Sequence, residues 1–396
     1  MSGGQRAEVV IVGGAIVGSA VATFLALRGD WDGRVVVVER DPTYRTASTT
    51  LSAASIRLQF STPLNIEISR FGISFIRDLD RWLGVPGAPS PEIDFVEGGY
   101  LFLATAAGLP ILEANHATQR AHGVNAALLD PGELRRRFPW MSVDDLAGGS
   151  LGLSDEGWFD AHALLQAFRR RARALGVEYL AGEVVAVERD GSDVRGVRLA
   201  DGRRLEAGVV VNAAGPRAAE VAAMAGLELP VRPRKRFVYH FDCRARLGPA
   251  PLTINPGGVY FRPEGPAWIG GFSPRAGDAD PDTLDLEVDR APFEAVVWPE
   301  LARRVPAFES LRLLDAWAGH YEVNTLDHNA IIGPHPDLPG FLFANGFSGH
   351  GLQQAPAVGR GLAEWIVAGR YETLDLTPLG YARIARNEPI RELNVV

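Results

Sequence analysis

The chain has 396 residues, of which 46% are hydrophobic, and a formal net charge of −8. That length allows two or three domain-sized units with real cores, and the acidic balance argues against a nucleic-acid surface, which needs clustered positive charge. The single cysteine, Cys243, excludes an intramolecular disulfide and any multi-cysteine metal site.

No apolar run reaches the roughly eighteen residues a membrane span needs. The start, MSGGQRAEVVIV, reads as neither a secretory leader nor an Arg-rich transit peptide, so a reducing cytoplasm is the expected compartment. Lys235 is the only lysine among 40 basic residues. The basic runs at 135–137, 169–171 and 232–236 read as solvated faces.

Residues 7–12 form an apolar β-rich run, followed by a glycine turn at 13–18 and an alanine-rich helix to about residue 28. Residues 35–39 form a second apolar run ending on an acid. This is β-turn-α-β, the opening of a doubly wound parallel sheet. Residues 45–62 are rich in Ser, Thr and Ala and read as a loop, with helical spacing from 66 to 83. A strand is expected at 100–104, helices at 109–122 and 160–175, and strands at 183–188, 196–199 and 208–212. Residues 236–318 alternate short aromatic strands with one helix near 291–304. Behind the last glycine cluster, Ala355, Pro356, Ala357, Gly359 and Gly361 open a helix of small residues, with the proline tolerated in its first turn. No linker divides the chain, so domains that interleave along the sequence are expected.

Gly13, Gly14, Ala15, Ile16, Val17 and Gly18 fit G-x-A-x-x-G, with alanine where the dinucleotide fingerprint has its second glycine. Glu39 ends the next strand, where a carboxylate accepts bonds from ribose hydroxyls and repels a 2′-phosphate. Residues 209–216, VVVNAAGP, form an apolar strand running into small residues that pass close to a bound cofactor. In Gly346-Phe347-Ser348-Gly349-His350-Gly351, three glycines let the backbone approach a ligand. The helix behind offers unpaired N–H groups and a partial positive charge to an electron-rich ring. His320, His328, His335 and His350 contain no i,i+4 pair, so no metal site is expected.

Together these segments resemble the D-amino-acid oxidase superfamily of FAD-dependent oxidoreductases, which includes sarcosine oxidase, glycine oxidase and dimethylglycine dehydrogenase. The resemblance spans essentially the whole chain. Within the superfamily the tail resembles the subgroup of mitochondrial FAD-dependent oxidoreductase-domain proteins associated with complex I assembly, through WAGHY at 317–321, NTLDHNAIIGPHP at 324–336, GFSGHGLQQAP at 346–356 and PIRELNVV at 389–396. It implies an α/β fold, α+β overall. A Rossmann-like FAD-binding domain is built from residues 1–91, 154–231 and 317–396. A substrate domain with a mainly antiparallel sheet is built from 92–153 and 232–316.

The resemblance also implies roles. Gly13 to Gly18 hold the pyrophosphate and Glu39 the ribose; Arg40, Ser48, Thr49, Thr50 and Ser52 approach the pyrophosphate and ring. Val184 contacts adenine, and Ala213, Ala214, Gly215 and Gly319 line the cofactor. Gly346, Phe347, Ser348, Gly349, His350, Gly351, Leu352 and Gln353 embrace the flavin ring. Arg57, in SIRLQFS, is the candidate clamp for a substrate carboxylate. Tyr260, Tyr321 and His320 are candidates for the pocket wall, and His350 for a place beside flavin and substrate.

The implied reaction moves hydride from a C–N carbon of an amino acid or N-substituted amino acid to the flavin. Sarcosine oxidase has a lysine where this chain has Gln353, which favours a dehydrogenase with a protein or quinone acceptor over an oxidase. Cys243 lies far from the motif that supplies an attaching cysteine elsewhere, so the FAD is expected to be non-covalent. Oxidation of a 2-hydroxy acid, and a flavin-bound assembly or interaction factor with little turnover, remain open. A nicotinamide-dependent dehydrogenase is a distant alternative, because it leaves GFSGHG without a use.

Overall fold

The computed structural model describes residues 5–274 and 277–393; the last three residues of the 389–396 motif lie outside them. Three strands, Val9–Val12, Val35–Glu39 and Val209–Asn212, are nearly continuous runs of valine and isoleucine. Such runs suit parallel strands covered on both faces, and they sit centrally in a six-stranded sheet. Its order is Ile331–His335, Leu338–Asn345, Val209–Asn212, Val9–Val12, Val35–Glu39, Glu178–Ala181, parallel except for the first strand.

Helices Ile16–Ala26, Pro63–Arg77, Ala161–Ala174 and Gly351–Ala368 cover one face. The first and last cross closely because small residues meet at Ala20 and Gly359. The other face carries a four-stranded sheet that includes Val184–Asp190, Asp193–Leu199 and Arg204–Glu206, together with helix Ala218–Met224. The fold is thus mixed α/β.

A separate eight-stranded sheet, mainly antiparallel, runs in the order Arg312–Asn324, Val231–Asp242, Ala267–Gly271, Tyr260–Glu264, Leu252–Ile254, Tyr100–Ala104, Gly148–Gly152, Ala126–Leu129. Its core is aromatic: Tyr239, Phe241, Phe261, Trp268, Phe293 and Phe308 form one cluster.

The elements depart from the sequence reading in several places, among them three near the cavity-bearing segments. Two strands of the 231–324 region are long, not short: Val231–Asp242 and Arg312–Asn324 pair along twelve residues as one ribbon. The helix near 291–304 begins as a π-turn, Phe293–Val297, before continuing as an α-helix, Trp298–Arg304. The small-residue helix starts at Gly351, so Pro356 lies in its second turn and removes the hydrogen bond residue 356 would give to the Leu352 carbonyl.

Candidate active site

A cavity of about 400 Å³ is lined by residues of both large sheets and of the loops at the carboxyl ends of the parallel strands, the usual ligand position in an open α/β sheet. Gly13, Ala15, Ile16 and Val17 reach it, as do Glu39, Arg40, Ser48, Thr49, Ser52, Val184 and Ala213 to Gly215. So do Gly319, His320, Tyr321, Tyr260, Phe347, Gly349, Gly351 and Leu352. The remaining candidates, Gly14, Gly18, Thr50, Arg57, Gly346, Ser348, His350 and Gln353, do not line it.

At one end, Gly13 has φ +99°, and a Cβ there would collide with the Ala213 carbonyl. The Ile16–Ala26 helix begins without an acid in its first turn; its Ile16 N–H donates to Thr49 Oγ1 at 3.3 Å, which leaves the next amides of the turn for an anion. The Glu39 carboxylate accepts from the N–H groups of Gly14 and Asp41, each at 2.8 Å. Burial raises its pKa against those two bonds. The Ser48 hydroxyl, also on the wall, is buried with no partner among the described residues.

At the other end, the glycine cluster turns sharply, with positive φ at Gly346, Ser348 and Gly349. Gly349 packs on Tyr321 so closely that a Cβ would sit 2.5 Å from the ring. Tyr260 and Tyr321 both have raised pKa values through burial, so their hydroxyls stay protonated. The Nε2–H of His320 donates to the Asp285 carbonyl at 3.1 Å, and burial lowers its pKa, leaving a neutral ring. The Glu322 carboxyl is pushed up to about 8 by burial, although the amides of Gly346 and Phe347 partly offset this.

Arg57 and His350 form a cluster behind this end. The Arg57 guanidinium lies over the rings of Phe60 and Phe102, with Nη2 3.0 Å from His350 Nε2. An arginine only donates, so Nε2 accepts and the neutral imidazole carries its proton on Nδ1. Gln353 Oε1 accepts from the Arg57 N–H at 2.8 Å. The buried Glu156 carboxylate, from the DEGWFD segment, accepts from Leu58 N, Gln59 N and Gln59 Nε2. Burial pushes Glu156 up to about 7. This network fixes the 57–59 segment against the Gly351–Ala368 helix.

Burial, then the Arg57 charge, lowers the His350 pKa to about 3. Between about pH 6.5 and pH 3 the unfolded chain therefore binds a proton that the folded one refuses, so stability is full above about 6.5 and lost as pH falls. We expect a contribution of up to about 1 kcal/mol per pH unit, since the residue is only half-buried. Denaturation at pH 7, 6, 5 and 4 should show a slope in wild type that His350→Asn reduces by about one proton.

Among the wall residues that were not anticipated are Arg236, Leu284 and Leu286. Arg236 belongs to the basic run read as a solvated face, yet its side chain is only 12% exposed and grips Asp280 with both Nη atoms, at 2.7 and 2.9 Å. Its guanidinium lies 5.4 Å from the Tyr321 ring centroid. The signal for the two leucines was present in the two-residue alternation of apolar and acidic residues through 284–289.

The DAO family, described as FAD dependent oxidoreductase, matches residues 8–365. FAD-dependent oxidoreductase domain-containing protein 1 of Xenopus laevis is 43% identical over 426 residues, covering 99% of this chain and 85% of that protein. Human mitochondrial sarcosine dehydrogenase is 28% identical over 93% of this chain, which spans 40% of that longer protein. The crystal structure of L-proline dehydrogenase from P. horikoshii superposes with a TM-score of 0.86 at 28% identity, covering 98% of this chain and 100% of that one. A fingerprint strand, a half-buried acid at the end of the next strand and a glycine-rich second loop meeting at one cavity agree with the match over most of the sequence: the chain belongs to the DAO family of FAD-dependent oxidoreductases.

Proposed function

We propose that the chain oxidises the C–N bond of an amino acid or N-substituted amino acid by hydride transfer to non-covalent FAD, with hydrolysis of the resulting imine. We further propose that it works as a dehydrogenase with a protein or quinone acceptor. One observation carries this reading: a single cavity joins the fingerprint end to an end walled by Tyr260, Tyr321 and Arg236. The residues fit the cofactor. Gly13 makes a positive-φ turn at the cavity wall that a side chain would block against Ala213, the first turn of the Ile16–Ala26 helix presents its remaining amides to a pyrophosphate, and Ser48 offers an unpaired hydroxyl.

When bound, the flavin supplies the hydride acceptor. The chain's residues then bind and orient. Glu39, anchored by two amides, turns its remaining lone pairs to ribose hydroxyls. The 346–351 loop and the start of the Gly351–Ala368 helix place N–H donors where negative charge develops. The two protonated tyrosines enclose the substrate and donate hydrogen bonds. In this reading the carboxylate clamp passes from Arg57, which is packed against Phe60, Phe102 and His350, to Arg236 on the cavity wall. A neutral amine needs no strong base.

Lys235 pairs with Asp285 and does not reach the cavity, which supports slow reaction with oxygen. Cys243 donates to the Ala307 carbonyl, also away from the cavity, which supports non-covalent flavin. The division into a discontinuous FAD domain and a substrate domain belongs to the same proposal, as does a cytoplasmic location. No helix among the described residues is long and apolar enough to cross a membrane.

The test is anaerobic titration of the purified yellow protein with amino acids, N-methyl amino acids and 2-hydroxy acids. We expect bleaching by a member of the first two groups, turnover faster with a dye acceptor than with oxygen, and flavin released by acid precipitation. Bleaching by hydroxy acids alone would move the substrate class; bleaching by none would leave an interaction factor.

A further inference from the structure

Residues 278–290 contain no helix or strand, yet they are tied along one edge of the Val231–Asp242 strand. There, residues 231–237 pair with Arg312–Asn324 on one side only, and the second side meets the segment through a bridge between Arg234 and Asp282. Thr283 N–H donates to the Pro233 carbonyl at 3.1 Å. Ion pairs complete the attachment: Arg236 with Asp280, Arg234 with Asp282 at 3.2 Å, and Lys235 with Asp285 at 2.6 Å. From this strap Leu284 and Leu286 reach the cavity wall.

We propose that Asp280 holds Arg236 in place of a substrate carboxylate, so that substrate arrival and release of the 278–290 strap are one exchange. The proposal rests on the amino-acid reading above. Asp280 meets the guanidinium with two parallel N–H···O bonds, the geometry an amino acid's carboxylate would adopt. Arg236 keeps one N–H group, at Nε, buried and without a partner among the described residues, so the guanidinium's donors are incompletely used while Asp280 is in place. Asp280 is attached to a segment with little regular structure and is itself partly exposed, and the two bonds it gives up are the two that an incoming carboxylate would restore. A competing carboxylate can therefore displace it without breaking a core. The strap then carries Leu284 and Leu286 away from the cavity, and the opening widens.

Hydrogen exchange of residues 278–290 in the FAD-loaded protein tests this, with sodium acetate as the unreactive carboxylate, sodium chloride at equal ionic strength, and acetamide as the uncharged control. Acetate should speed exchange of the strap by about three- to tenfold over chloride, and acetamide should not. Asp280→Asn should exchange fast without acetate. By the flavin absorbance shift, it should also bind acetate several-fold more tightly, because its internal competitor is gone. Equal exchange in acetate and chloride overturns the proposal, as does an Asp280→Asn strap that exchanges like wild type or binds acetate no better. Failure of the amino-acid reading shows separately, as a flavin that no amino acid bleaches.

Discussion

Gly13→Val protein is expected to purify colourless, with flavin content below about a tenth of wild type, and to remain so after incubation with excess FAD. The residue sits at φ +99°, where a β-branched side chain costs about 1–3 kcal/mol or more. Its Cβ would also drive into the Ala213 carbonyl. That carbonyl belongs to the loop leaving the neighbouring parallel strand, and Ala213 N–H is bonded to the Val12 carbonyl, so neither chain can give way cheaply. The displaced turn would carry Ala15 and the first turn of the Ile16–Ala26 helix with it, misdirecting the amides that should meet the pyrophosphate. Flavin absorbance per polypeptide, with circular dichroism to verify folding, is the measurement. A yellow Gly13→Val protein at full stoichiometry would mean that the fingerprint turn does not face the cofactor.

The second large effect concerns stability. Arg383→Ala should cost about 3–5 kcal/mol, because it leaves Asp327 buried without its counter-charge. The two side chains are 5% and 1% exposed and are ion-paired. Arg383 also donates to the carbonyls of Asn329 and Ala330, while Asp327 accepts from Asn324 Nδ2 and from the N–H groups of Asn329 and Ile390. The ion pair thus ties the turn after Arg312–Asn324 to helix Ala382–Ala385, and the Ile390 bond ties it to the segment beyond. The melting temperature should fall by roughly 4–6 °C. Replacing both partners, Arg383→Met with Asp327→Leu, should recover part of the loss, since no lone charge remains. A single substitution costing under about 1 kcal/mol would show the pair to be solvated.

The parts of the site that follow chain-local chemistry were legible in the sequence. Valine-rich runs, positive-φ glycines and the acid ending Val35–Glu39 each act through their immediate neighbours, and they marked the fingerprint strand, Glu39 and the 346–351 loop. The DAO family membership was legible for the same reason. Tertiary pairing was harder to see. Nothing around Arg236 says that Asp280, more than forty residues on, will draw it into the cavity wall, and the strap bearing Asp280 has too little regular structure to predict its path. The long ribbon of Val231–Asp242 with Arg312–Asn324 was missed because Pro233 and the basic residues interrupt the hydrophobic pattern of the first strand.

Cavity-lining residues run from Val12 to Leu352, so the two ends of the cradle are made far apart in time on the ribosome. The first turn and its parallel strands can assemble early, but the wall at 347–352 is absent until nearly all of this sequence has emerged. Full-strength capture of the cofactor is therefore a late event in biogenesis, and a nascent chain arrested before residue 346 should bind it weakly even when its amino-terminal strands are already paired.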